Sequence, residues 1–520
     1  MPFLTRRTAI RSAAVLPAAF ATPAPAATPP GSAAAALAAP VGALGIDRPL
    51  FGAVAWTLPN GLRVVLAESR RVPVVTHHLF YAAGGGEDPA GRSGTAHFLE
   101  HMMFKGSRNV APGALSLAVA REGGQDNAFT SRDVTAYHQT VEASRLALVM
   151  RLEADRFAGP LLPPDTVEPE RAVILEERRL RTDSNPRSRF WEAFEAAMWG
   201  PQHWHGQPII GWEDEIRAIT RDDMLAFYGR RYAPENAVLI VTGDVREAEC
   251  RRLVDDFYGP VPPRAFAARD RAAPPAVPPE PRLVRHDPAV REATFMRAVL
   301  APSLTWPSLV GPSLAGPSLA GLGLAHPADL GSAQQAWALE VLSHLLGGGP
   351  GSRLHQALVE TGLATTASAS YDGEVLGPGT FGVSATPRPG VAPERLEAAV
   401  DATLARLLQD GPTEAERARS VRQLTFGAVL ALDSVGAAPR MLGGALAIGL
   451  PLELVEFWPA HLRAVTLPQL TTAARVVLGG GSAAAQATGW LLPGAAPARA
   501  SVPSAGAPSS AQPGPQDPPS

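Results

Sequence analysis

Apolar and polar positions change period several times along the chain, and each change marks an element. Thr57-Leu58-Pro59-Asn60-Gly61-Leu62-Arg63-Val64-Val65-Leu66 sets two short β-rich runs around an Asn-Gly pair, the pattern of a hairpin. A strand rich in Val and aromatic residues follows over 73–83, and Gly84-Gly85-Gly86 closes it. Behind the Gly123-Gly124 turn, apolar and polar residues alternate from Thr130 to Val141 as on a half-buried strand. Residues 142–200 carry helical periodicity throughout, and Gly206 to Gly211 ends that run. Ala237 to Val245 reads as a strand and Ala248 to Tyr258 as a helix. A second series with a similar order begins near Leu283, with a strand at 292–301 and a helix from about Ala333.

The fold class this predicts is α+β, in two consecutive halves, because 520 residues exceed what one core organises. The halves span 47–259 and 283–493, and the Pro/Arg/Ala-rich stretch 260–282 is the linker between them. Within the second half, repeated Gly-Pro-Ser-Leu units mark an exposed loop insertion over 302–328, since so short a Pro/Gly repeat cannot bury a core. The Ala/Pro/Ser-rich tail 494–520 reads as disordered.

Composition adds exclusions. Lys and Arg number 46 against 49 Asp and Glu, a net charge of -3, which gives no case for nucleic acid. No run is apolar and long enough to span a bilayer. The single cysteine, Cys250, rules out an intrachain disulfide and reads as a small buried residue. At the N-terminus, Arg6-Arg7, a weakly apolar run to Phe20 and Ala24-Pro25-Ala26 have the three parts of an export signal over 1–27. The arginine pair resembles a twin-arginine signal, which implies a periplasmic or exported bacterial protein. Residues 28–46 then form a flexible Ala/Pro spacer.

Chemistry concentrates at His97-Phe98-Leu99-Glu100-His101. On a helix, residues 97, 100 and 101 share one face, so two imidazoles and a carboxylate converge. This H-x-x-E-H order is the inverzincin motif, and a catalytic zinc needs one further protein ligand and an open position. The third ligand is sought in Glu170-Arg171-Ala172-Val173-Ile174-Leu175-Glu176-Glu177, also helical. Glu170 and Glu177 stand two turns apart, within about 20° of one face, with Val173 and Ile174 filling the stripe between them. Glu176 points about 100° away, toward solvent with the arginines that follow. Spacing does not choose between Glu170 and Glu177. Other histidines read as structural: His77 and His78 lie on opposite faces of one strand, and His203 and His205 lie in a loop with no fixed third ligand.

His97 to His101, followed after 75 residues by Glu177 within its Glu-rich helix, resembles the pitrilysin/insulinase family of zinc peptidases, especially bacterial members similar to mitochondrial processing peptidase. The resemblance implies one Zn2+ per chain on His97, His101 and Glu177, with Glu100 as general base and Glu170 as a carboxylate orienting a ligand. It implies that Asn127-Ala128 lie along the cleft, where a peptide substrate is held as an added strand. It also implies two tandem homologous α/β-roll domains, each a mixed sheet with helices packed on it, facing each other as a half-clam.

The second half carries the family's glycine loop, Gly347-Gly348-Gly349-Pro350-Gly351-Ser352-Arg353-Leu354, and no zinc motif. Where self-sufficient members supply an Arg and a Tyr to hold the substrate carbonyl, this chain has Val359 and Thr365, which cannot stabilise an oxyanion. The expectation is a zinc endopeptidase acting on small or unfolded peptides beside a homologous non-zinc subunit that supplies Arg and Tyr. The alternative is a non-catalytic binding or assembly subunit of the same fold.

Overall fold

The computed structural model describes residues 49–275, 277–306, 333–432, 434–479 and 486–494. The expected export signal and spacer, most of the loop insertion and the tail lie outside these residues. The first half opens with β1 (Val54–Thr57), β2 (Arg63–Glu68) and β3 (Val74–Tyr81), then α1 (Thr95–Met102) and α2 (Ala114–Arg121). It continues with β4 (Gln125–Thr130), β5 (Thr135–Glu142), α3 (Leu146–Ala158), α4 (Val167–Arg178), α5 (Pro186–Trp199), α6 (Glu213–Ala218), α7 (Arg221–Arg231), β6 (Ala237–Gly243) and α8 (Glu247–Tyr258). The second half holds β7 (Arg282–Asp287), β8 (Thr294–Ala301), α9 (Ala333–Gly347), β9 (Ala364–Asp372), β10 (Gly379–Pro387), α10 (Pro393–Asp410), α11 (Glu414–Ala431), α12 (Ala437–Ala447), α13 (Leu452–Glu456), α14 (Trp458–Ala464), α15 (Leu467–Leu478) and β11 (Gln486–Pro493).

Two mixed sheets result, ordered β1-β2-β6-β3-β5-β4 and β7-β11-β8-β10-β9. In each, one parallel pair (β2 with β6, β7 with β11) is followed by antiparallel pairings, so the second sheet repeats the first without β1. The Asn60-Gly61 turn joins β1 to β2 as expected, with Val54 opposite Leu66. By the same correspondence α9 occupies the place of α1, but it buries Trp337, Leu339, Leu342 and Leu346 and carries no H-x-x-E-H motif.

Three sequence expectations are corrected. The alternation from Thr130 to Val141 is not one strand: Ser131 to Val134 form a turn, and β4 pairs back on β5 with Thr130 opposite Thr135. Alternation continues across a tight hairpin turn, so the pattern hides it. Residues 142–200 are not continuously helical, because Pro160, Pro163 and Pro164 break the run after α3, and Asn185 caps a new helix at α5 through Arg187 and Ser188. Residues 302–306, assigned to the loop insertion, are packed: Ser303, Leu304 and Thr305 are buried, and Thr305 Oγ1 donates to Val375 O at 2.6 Å.

Each half lends a helix to the other. One face of the first sheet (Leu66, Leu79, Tyr81, Tyr137, Val241) packs with α1, α3 and α8. The other face (Val65, Phe80, Val238, Ile240) packs with Ala438, Leu442 and Ala445 of α12, from the second half. Reciprocally, Phe190 and Phe194 of α5 cover Leu283 and Leu491 of the second sheet. The fit leaves no room for a methyl group: a Cβ on Gly443 would lie 2.0 Å from Phe80 Cε2, and one on Gly489 would lie 2.6 Å from Phe194 Cδ2.

The linker crosses this seam as a pinned strap, with no helix or strand among the described residues of 260–281, and β7 begins at its last residue, Arg282. Arg269 donates to Ala82 O and Asp133 O in the first half, both at 3.0 Å, and to Ala447 O at 3.1 Å in the second. Arg271 is ion-paired with Asp133 and bonds Glu87 at 2.8 Å and Leu376 O at 3.3 Å, with its guanidinium 4.4 Å from the Trp204 ring. A Pro/Ala-rich segment is therefore fixed by buried charge rather than by its own backbone pairing.

Two neighbouring substitutions test the α12 seam. Gly443→Ala should destabilise by about 1–3 kcal/mol, because overpacking outweighs the helical gain. Gly444→Ala, whose added methyl would meet nothing within 4 Å, should stabilise by about 0.5–1 kcal/mol. Thermal melts that move the same way for both variants would refute this packing.

Candidate metal centre

α1 is a short helix with an uncommon start. Its N-cap, Gly94, has φ of 90°, and a Cβ there would sit 2.5 Å from Ile210 O, so the position requires glycine. Asp88 supplies the cap from a distance, its carboxylate accepting from Gly94 N at 2.7 Å and Ala96 N at 2.8 Å. Ala96, Phe98, Leu99 and Met102 bury the opposite face. The remaining face presents His97, Glu100 and His101 to a cleft of about 780 Å³.

α4 meets that face with both carboxylates of the expected stripe. His101 Nδ1 and Glu170 Oε1 are 2.8 Å apart, and Glu170 is also ion-paired with Lys105. Glu177 Oε2 lies 3.7 Å from His97 Nε2 and 3.4 Å from His101 Nε2. Candidate ligand atoms of His97, His101 and Glu177 all fall within 4.8 Å of one another, a group of three that Glu170 does not join. Glu170 instead holds the far nitrogen of His101, which fixes the ring with Nε2 toward Glu177. Ile174 is buried as expected, but Val173 is 51% exposed and does not fill the stripe. Glu176 points to solvent, paired with Arg179.

The donor set fits a borderline-soft divalent cation. Glu177 Oε2 is buried and accepts no hydrogen bond among the described residues, an unmet lone pair aimed at two imidazoles. Burial, with the neighbouring His101, lowers the His97 pKa to about 4, so its ring is neutral and can donate a lone pair at neutral pH. Burial would lower His101 too, but Glu170 and the Glu177 and Glu100 charges outweigh it and raise that imidazole to about 9. Burial opposes ionisation of Glu177, yet His101, His97 and Arg181 bring it down to about 2. Two imidazoles and one ionised carboxylate, with space beside them, is the composition of a catalytic zinc site.

Glu100 stands next to this triad. Burial raises its pKa, against a hydrogen bond from Thr130 Oγ1 at 2.6 Å that favours the ionised form. Asn127 and Ala128 line the same cleft from β4, which pairs only with β5 and so leaves its other edge free among the described residues. The cleft wall is completed by α5, through Ser188, Trp191, Glu192 and Glu195.

Other candidates are placed elsewhere. His77 is buried between Gln139 and Tyr258, His78 stacks on His138 at 4.9 Å, and His205 stacks on Trp199 at 4.1 Å. His203 bonds Ala272 O of the strap at 3.1 Å, and Cys250 is buried and free. Val359 packs against the second-half core, and Thr365 Oγ1 donates to Thr386 O at 3.2 Å; neither lines the cleft. Among the described residues every side chain lining it comes from the first half.

Sequence reasoning missed Asp88, Lys105, Thr130 and Arg181. Arg181 stands one turn beyond Glu177 where the helix runs on past Arg178, so helical spacing could have found it, whereas Lys105 lies past the end of α1 and reaches Glu170 from a bend. Asp88 and Thr130 act across a loop and between a helix and a strand, and no local pattern marks them.

The description "Insulinase (Peptidase family M16)" belongs to the family model that matches residues 63–209, and "Peptidase M16 inactive domain" to the one that matches 218–424. An uncharacterized zinc protease of Mycobacterium leprae is 32% identical over 393 residues, 75% of this chain and 82% of that protein. The mitochondrial-processing peptidase beta subunit of Blastocladiella emersonii is 28% identical over 205 residues, 39% of this chain and 44% of that protein. The crystal structure of a protease from Helicobacter pylori superposes with a TM-score of 0.70 at 25% identity, covering 85% of this chain and 99% of that one. A paired-sheet fold, an H-x-x-E-H helix facing a glutamate helix, and relatives matched over most of their length lead to one assignment: the chain belongs to the insulinase family, peptidase family M16.

Proposed function

We propose that this chain is a zinc-dependent endopeptidase that hydrolyses peptide bonds in small or unfolded peptides. The observation that carries the reading is the meeting of His97, His101 and Glu177 with Glu100, beside a strand edge that is unpaired among the described residues. When bound by the triad, zinc supplies Lewis acidity to a water and a carbonyl oxygen within its reach. The remaining work falls to the chain itself. His97 offers a neutral ring, Glu170 orients His101, and Glu177 brings the one negative charge to the set. Glu100, buried and with raised proton affinity, takes a proton from the attacking water and returns it to the leaving amine. Asn127 and Ala128 sit where a peptide added to the β4 edge would receive main-chain hydrogen bonds. Only an extended segment can add to an edge strand, which selects small or unfolded substrates.

The absence of second-half side chains from the described cleft lining supports a further element of the proposal. Val359 and Thr365 give the carbonyl oxygen no donor, so a homologous subunit without zinc supplies an Arg and a Tyr. The same observation favours a second reading, a non-catalytic binding or assembly subunit. The paired arginines at 6 and 7 support export to the periplasm.

Three outcomes test these statements. With the purified zinc-loaded chain and a quenched mixed-sequence peptide pool, Glu100→Gln should lower cleavage by about 10²–10⁴-fold with zinc content unchanged. Wild-type activity no higher than that variant, restored by no partner, would favour the non-catalytic reading, whereas full activity of the chain alone would remove the need for a partner.

His101, raised to about 9 in the metal-free protein, must lose its proton to become a ligand. The folded value lies above the unfolded one, so charged His101 stabilises the metal-free fold below pH 6.5, and this is lost as pH rises through about 9. Zinc uptake near pH 7 should therefore release about one proton, and affinity should strengthen about tenfold per pH unit toward pH 9. Calorimetry in buffers of different ionisation enthalpy reads this directly, and uptake without proton release would contradict it.

For export, Arg6→Lys with Arg7→Lys should retain the protein in the cytoplasmic fraction; unchanged fractionation would exclude a twin-arginine route.

A further inference from the structure

Thr130 is the last residue of β4, the edge strand along the cleft. Its hydroxyl makes the only hydrogen bond to the Glu100 side chain among the described residues, at 2.6 Å. The direction is set whenever Glu100 is ionised, because a carboxylate can only accept. On its other side the Thr130 oxygen faces the Thr135 hydroxyl at 3.4 Å, and Thr135, its partner across the β4–β5 pair, is fully buried. Thr130 is thus held by the sheet and holds the glutamate in turn. A Glu side chain has three rotatable bonds, whereas Thr is branched at Cβ and stiff at χ1, so the strand defines where the carboxylate sits.

We propose that Thr130 is a positioning residue for Glu100 and ties its orientation to the strand that receives the peptide. This deepens the peptidase reading and rests on it. A peptide pairing with Asn127 and Ala128 restrains β4 two residues before Thr130, so docking of substrate and alignment of the base are one mechanical event. Misalignment of a reacting group by about 1 Å can cost about 10²-fold in rate, which sets the size of effect expected.

The alternative is that Thr130 matters for packing through its methyl group. Two variants separate the cases, since Thr130→Val keeps the shape without the hydroxyl and Thr130→Ser keeps the hydroxyl without the methyl. Positioning requires Thr130→Val to lower kcat by about 10- to 100-fold with KM within about threefold and zinc content unchanged, and Thr130→Ser to keep at least about half of wild-type kcat. An impaired Ser variant beside an active Val variant would overturn the proposal.

A second measurement needs no turnover. In thermal melts of the zinc-loaded chain, Thr130→Val should lower Tm by about 2 °C or more, and this loss should vanish in a Glu100→Ala background, because the hydroxyl then has no carboxylate to serve. Equal losses in both backgrounds would overturn the proposal without touching the peptidase reading. Undiminished cleavage by Glu100→Gln would instead overturn the base assignment and this inference together, and is distinguishable because the melting cycle would still show the contact.

Discussion

A sheet with apolar residues on both faces must be covered twice, and this constraint organises the protein. Among the described residues, each half has helices of its own for one face only. The second face of the first sheet takes α12 from the second half, and the second sheet takes α5 from the first. At both seams a glycine lets backbone approach an aromatic ring closely, Gly443 at Phe80 and Gly489 at Phe194. Close-packed seams of this kind have little tolerance for added volume, so they fix how the two halves meet.

The exchange bears directly on the candidate metal centre. α5 clamps the second sheet with Phe190 and Phe194 and walls the cleft with Ser188, Trp191, Glu192 and Glu195. The second half therefore shapes the cleft without contributing a described side chain to its lining. The strap works in the same direction: Arg271 ties Glu87 and Asp133, on the loops flanking α1 and joining β4 to β5, to Leu376 of the second half. A domain that places none of its described side chains in the cleft lining can still act as the scaffold for the helix that walls it.

Within the centre, burial and charge divide the labour between chemically identical groups. Two histidines four residues apart differ because burial outweighs the one nearby carboxylate at His97, whereas three carboxylates outweigh burial at His101: His97 falls to about 4 and His101 rises to about 9. Two glutamates seven residues apart differ likewise, Glu177 pointing an unmet oxygen at both rings and Glu170 engaged with His101 and Lys105. Preorganisation of this kind means that few groups must move when a cation enters.

Much of this was legible in the chain itself. Helical spacing put His97, Glu100 and His101 on one face and Glu170 and Glu177 on another, and the Asn60-Gly61 hairpin and the α+β succession followed from period and turn chemistry. These are local facts, fixed by residues within a few positions of one another. Which glutamate meets both imidazoles depends on how α4 lies across α1, so spacing left it open. The hairpin after Thr130 was hidden because alternation survives a tight turn, and residues 302–306 were misassigned because they are held by Gly373, Val375 and Gly377 of the loop between β9 and β10 rather than by their own composition. Thr130 and Asp88 reach Glu100 and the start of α1 through space, the strap is held by charges far from it in sequence, and each sheet borrows its second cover. Short-range periodicity determined the elements and the ligand-bearing faces; the pairing of those faces, which requires long-range packing, was decided only by the tertiary structure.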